Sequence, residues 1–190
     1  MPVRKFLLLQ LLVLCFFSAL QAQEYRAIKG WSKEVNDRLE SFLNSTIVTH
    51  TRKVAVFDGD GTTFGQVPYY LADEALYQYA DEVLKGRTDP VARERLAILD
   101  RMVKDGNNVG KPYVEDRVHF LAGLTPEEIE LIGDNCYHRS YKGKFYPEMK
   151  ELIANLKEYG FEIWILTASP EQLYQKFFSE ELGIPVTNIV

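Results

Sequence analysis

Two aspartates separated by one glycine, Asp58-Gly59-Asp60, followed at once by Gly61-Thr62-Thr63, form the densest run of chemistry-bearing residues in this chain. They follow Val54-Ala-Val-Phe57, four apolar residues without alternation, the pattern of a parallel strand buried on both faces. Carboxylates just beyond the carboxyl end of such a strand sit where an open α/β sheet binds its ligand. Gly59 and Gly61 let the backbone turn sharply and bring its N–H groups close to an anion. A carboxylate pair supports a two-step displacement, with Asp58 as nucleophile and Asp60 as general acid and then general base. Two such charges repel each other and any anionic substrate. A divalent cation relieves both repulsions, and Mg²⁺ suits carboxylate, carbonyl, water and phosphate oxygens. A calcium-loop reading fails, because the twelfth residue counted from Asp58 is Tyr69, where that loop needs a glutamate.

A second apolar run, Phe161 to Leu166, ends in Thr167-Ala168-Ser169. A threonine hydroxyl at a strand end is placed to donate to oxygens on which charge develops. Ser169-Pro170-Glu171-Gln172 reads as a helix cap, with Ser169 as a phosphate ligand the alternative.

The segment from Lys53 to Thr63 resembles the first motif of the haloacid dehalogenase superfamily, a hydrophobic strand followed by Asp-x-Asp-Gly-Thr. Ile163 to Thr167 is similar to that family's second motif. The resemblance spans about residues 52–190. It implies an α/β fold: a HAD-like Rossmannoid parallel sheet with a helical cap inserted between the first strand and the second-motif strand. It implies Mg²⁺ held by the Asp58 side chain and the Asp60 backbone carbonyl, and a phosphoryl group cradled by Thr167, Ala168 and Gly59. An aspartate two residues after the nucleophile is the family's mark of phosphatases, so Asp60 points to phosphoryl transfer to water. The helical insertion and Tyr146-Pro-Glu-Met149 look like the phosphoserine and phosphorylcholine phosphatase branch. The expected substrate is therefore a small phosphomonoester. The family's later lysine and acidic pair are not found up to Val190, so the chain reads as a piece of a longer protein. Two alternatives stand beside this reading: a catalytically incomplete binding protein, and a phosphotransferase that passes the group to an alcohol.

Several elements must hold these residues in place. In the lead-in, Ser32 caps a helix whose stripe is Val35, Leu39, Phe42 and Leu43; His50 lies in a polar link. Residues 65–144 read as an all-helical insertion, with stripes through Ala75–Leu84, through Ala92, Leu96, Leu99 and Val103, and from Val114 to Ala122. Thr125-Pro-Glu-Glu128 opens a fourth helix with hydroxyl cap, proline at the first position and glutamate three residues on. The insertion's tyrosines read as packing, with an aromatic cage for a quaternary ammonium the alternative, and Asp116, Arg117 and Arg139 as solvated faces, with substrate contact from the cap the alternative. Residues 23–64 and 145–190 then form the α/β core and 65–144 the cap, with Val186 to Val190 opening a third strand.

The 190 residues are 46% hydrophobic with a formal charge of −5, ordinary for one globular domain. Arg4 and Lys5 precede an apolar run from Phe6 to Leu20, closed by Gln21-Ala22-Gln23, the form of a secretory signal peptide over residues 1–22. An exported protein, periplasmic or secreted, is expected. Loss of Arg4 and Lys5 takes the charge from −5 to −7, which argues against nucleic acid or an anionic membrane as partner. Cys136 is then the remaining cysteine, leaving no internal disulfide pair.

Overall fold

The computed structural model describes residues 23–190; the signal-peptide reading of residues 1–22 lies outside them. Helix α1 (Lys33–Ser45) is followed by strand β1 (Lys53–Asp58). The insertion then runs through α2 (Leu71–Tyr79), α3 (Pro90–Asp105), α4 (Lys111–Leu121) and α5 (Pro126–Cys136). One π-helical turn continues α2 over Ala80–Leu84, and another continues α5 over Tyr137–Tyr141. Helix α6 (Pro147–Glu158), strand β2 (Phe161–Leu166) and α7 (Gln172–Leu182) complete the order, with a 3₁₀ turn at Val186–Asn188.

Strands β1 and β2 pair in parallel, from Lys53 opposite Phe161 to Asp58 opposite Leu166. Crossover through helices is what parallel pairing requires. The register decides the site. Because Asp58 and Leu166 end their strands side by side, Gly59-Asp60 and Thr167-Ala168 leave the sheet together at one edge. The Gly59 amide donates to the Leu166 carbonyl at 3.0 Å and seals that edge.

Several local expectations hold. Ser32 accepts from the Val35 amide, and the Thr125–Glu128 capping box is complete in both directions. Gly160, at φ +77°, ends α6, where a left-handed residue is needed. The insertion is helical throughout.

Other expectations change. The Val54–Phe57 strand is not buried on both faces: Val54 and Val56 are 41% and 53% exposed, because among the described residues no element covers their side of the sheet. In α1 the buried residues are Asn36 and Leu43, while Val35 and Phe42 lie exposed. Asn36 replaces the expected apolar contact by binding the Ile28 amide (2.7 Å) and carbonyl (3.2 Å), which pins the lead-in. The third-strand reading begins late. Residues 186–188 turn as 3₁₀, and pairing with β2 starts only at Ile189, beside Ile165.

The core runs without a break from the sheet into the insertion. Its centre is Phe64, fully buried, with ring centroids of Phe145, Phe177, Phe178 and Tyr141 at 4.9 to 5.7 Å. Phe64 also bridges in the backbone to Asp60 and Phe145. The turn that carries the carboxylates is thereby locked between both ends of the insertion. Helices α5 and α7 approach so closely that a Cβ on Gly133 would stand 1.9 Å from the Leu173 carbonyl oxygen.

Candidate active site

The turn after β1 is held by its own hydroxyls. Thr62 donates to the Asp58 carboxylate at 3.0 Å, and Thr63, fully buried, donates to the carbonyls of Asp58 and Gly59 at 3.1 Å each. Gly61 takes φ +80° and its amide donates to the Phe64 carbonyl at 2.7 Å, closing the loop. Asp58 is left exposed at the sheet edge, its neighbour Asp60 mostly covered.

Asp58, Asp60, Thr167, Ala168 and Ser169 line one cleft of about 280 Å³, together with Tyr70, Asn108, Val109, Val114 and Arg117 from the insertion. Four of the five side chains and backbones expected at the site thus converge. Gly59 is the exception. Its amide is committed to Leu166, so it cannot also cradle an anion; its part is to join the strand ends.

Burial pushes the Asp60 carboxyl up to about 6, with the Asp58 charge adding to the rise and Tyr174 and Arg117 opposing it. The Asp60 Oδ1 atom is buried with no hydrogen-bond partner. A carboxyl in that condition favours its protonated form, which suits a proton donor. Tyr174 is itself buried, and its hydroxyl accepts the Ala72 amide at 3.1 Å. Its own proton is raised far above the usual tyrosine range, by burial first and then by the Asp60 charge.

Thr167 is fixed from both sides. Its amide donates to the Val190 carbonyl at 2.8 Å, and its hydroxyl oxygen accepts the Ser169 amide at 3.1 Å. That second bond explains why Ser169 does not cap α7. The loop folds back on Thr167, and the helix starts at Gln172 after Glu171. The hydroxyl proton of Thr167 stays available to a ligand.

Arg117 departs most from its sequence reading as a solvated face. It is 4% exposed and pairs with buried Asp73, Nη2 to Oδ1 at 2.7 Å, while also donating to the Asn108 carbonyl at 3.2 Å. Its guanidinium lies 5.3 Å from the Tyr113 ring centroid. Arg139 lies on a solvated face as expected, paired with Glu82, while Asp116, with its side chain 16% exposed, is mostly covered beneath its partner Arg101. His119 and His138 are exposed and lie outside the carboxylate cleft. Tyr174 was missed from sequence, although it continues the aromatic run of Phe177 and Phe178 along α7.

Whether Mg²⁺ fits is answered by the donor set. An exposed carboxylate stands beside a buried carboxyl with an orphaned oxygen, and both face a cleft wide enough for water. Hard oxygen ligands completed by water and substrate oxygens are the usual magnesium arrangement. Among the described residues no three acidic, histidine or cysteine side chains come together as a ready-made metal cage.

A parallel α/β sheet with two carboxylates and a threonine beyond adjoining strand ends has them where such sheets bind their ligands. The chain belongs to the haloacid dehalogenase-like hydrolases, whose family model matches residues 55–190. No curated protein matches it. Among solved structures it is similar to a phosphoserine phosphohydrolase-like protein from Francisella tularensis subsp. tularensis SCHU S4, at 20% identity and a TM-score of 0.42. That similarity covers 73% of this chain and 56% of the other, so the chain spans little more than half of that protein's length.

Proposed function

We propose that this protein is an exported, Mg²⁺-dependent phosphomonoester hydrolase acting on a small phosphorylated metabolite. The observation that carries the reading is the convergence of Asp58, Asp60 and Thr167 on one cleft. Asp58 is the exposed carboxylate, so its oxygen attacks phosphorus and the ester P–O bond breaks, forming an aspartyl phosphate. Asp60, protonated at the start, gives its proton to the departing alkoxide, and an alcohol leaves. Asp60 then takes a proton from water, whose oxygen attacks the phosphorus and releases inorganic phosphate from Asp58. Thr167 donates to the phosphoryl oxygens through both steps. Asp58 and the Asp60 backbone carbonyl would hold Mg²⁺, which when bound neutralises charge on the phosphoryl group. The likeness of the insertion to the phosphoserine and phosphorylcholine branch supports a leaving group of small size. Export rests on residues 4–22 of the sequence.

The test is Asp58→Asn with p-nitrophenyl phosphate and Mg²⁺. Turnover is expected to fall at least about 10³-fold with an unchanged circular dichroism spectrum. Equal turnover in the variant would end the assignment.

A further inference from the structure

The phosphate cleft does not end at Thr167. Across Val114, Arg117, Ala168 and Ser169 it opens into a second cleft of about 560 Å³ between the insertion and the loop after β2. Its insertion wall is mostly aliphatic, with Val114 and Val118 from α4, Leu121 at the end of α4, Leu124, and Ile129 from α5; Arg117, already paired with Asp73, and the exposed His119 of α4 also line it. Val118 is 54% exposed, an aliphatic side chain left open on the cleft wall. The opposite wall is Pro170 with Glu171 and Gln172.

On the other flank, a cleft lined by Tyr69, Tyr77, Tyr113 and Asp73 meets the phosphate site only at Asn108. Its polar groups are already engaged. Tyr77 and Tyr113 share a hydrogen bond at 2.9 Å, and the Asp73 charge is balanced by Arg117. The same pairing leaves Arg117 without a net charge to offer a substrate carboxylate, and Glu171 disfavours an anion beside it.

Resting on the phosphatase reading above, we infer that the leaving alcohol lies in the aliphatic cleft, and that the substrate class is a monophosphate ester of a hydrocarbon-bodied alcohol rather than of an amino acid. Burying the alcohol's carbon chain against Val114, Val118 and Leu124 supplies binding that the phosphate alone does not.

The test is calorimetric binding of methyl-, butyl- and octylphosphonate to the full chain in Mg²⁺, with displacement by inorganic phosphate. Affinity is expected to rise about twofold to fourfold per methylene. Val118→Asp, at a half-exposed position that tolerates a charge, should cut the octyl-to-methyl affinity ratio about tenfold. A flat series over measurable methylphosphonate binding overturns this inference alone. So does octylphosphonate that inorganic phosphate fails to displace, or tighter binding of 2-amino-3-phosphonopropionate or phosphocholine than of butylphosphonate. Failure of methylphosphonate to bind at all removes the phosphate-site reading together with this inference.

Discussion

The amide of Ala72, in the first helix of the insertion, donates a hydrogen bond to the hydroxyl of Tyr174, in the helix after β2, at 3.1 Å. Both residues are buried, and the hydroxyl stands against the Asp60 carboxyl, lowering its pKa. One phenol therefore ties the start of the insertion to the helix that follows Thr167, beside the Asp60 carboxyl. Tyr174→Phe keeps the ring and removes the acceptor, leaving the Ala72 amide unpaired. A cost of about 1–3 kcal/mol is expected in urea denaturation. A variant as stable as its parent would show that water replaces the hydroxyl there.

Asp60 makes the free protein pH-sensitive in a definite sense. Its folded pKa, about 6, lies above the ordinary carboxylate value of 3.8, so the folded state holds its proton more tightly than the unfolded state. The stability this group contributes is complete below pH 3.8 and is lost as pH rises through 6. At pH 7 the loss is about 3 kcal/mol at most. Asp60→Asn removes the ionisation, so without Mg²⁺ the variant should melt above the parent at pH 7, with the gap narrowing towards pH 4. Added Mg²⁺ should stabilise the parent at pH 7 more than the variant. A constant gap across pH would place the ionised Asp60 in a wetter setting than its burial implies.

How far the site can be read without coordinates depends on the range of the signal. Asp58 and Thr167 each follow directly on an apolar run and Asp60 stands two residues beyond the first, signals within ten residues, and all three line one cleft. The Thr125 cap is local in the same way. Ser169 shows the limit of local reading: its sequence is a sound capping signature, but its amide is drawn back to Thr167 by the neighbouring turn. Arg117 and Asp73 lie 44 positions apart, on helices whose periodicity gives no reason to bury a charge. Val54 and Val56 mark the same limit from the other side, since an unbroken apolar run states what a strand can bury and not what is there to cover it.

The Arg117–Asp73 pair carries a prediction of its own. With both side chains almost wholly enclosed, removing either partner leaves an uncompensated buried charge. Arg117→Met and Asp73→Asn are each expected to cost about 3–5 kcal/mol, and the double variant well under the sum. Because Arg117 also holds the Asn108 carbonyl beside the carboxylate cleft, Arg117→Met should raise KM more than Asp73→Asn does. Additive losses in a double-mutant cycle would show that the two side chains act independently.

Gly133 sets how near the insertion can come to the helix that follows Thr167. An added Cβ would lie 1.9 Å from the Leu173 carbonyl oxygen and 2.6 Å from its carbon atoms, all of them backbone that no rotamer change can move. Gly133→Ala therefore forces α5 away from α7, although alanine is the better helix former. Packing strain outweighs propensity, and a loss of about 3 kcal/mol is expected in denaturation. The displacement should reach the site, because Leu173 adjoins Tyr174, and α7 begins five residues after Thr167. Turnover should thus fall in Gly133→Ala under conditions where the variant is still fully folded. A drop in stability with unchanged turnover would mean that the spacing of α5 and α7 supports the fold without setting the position of Asp60 or Thr167.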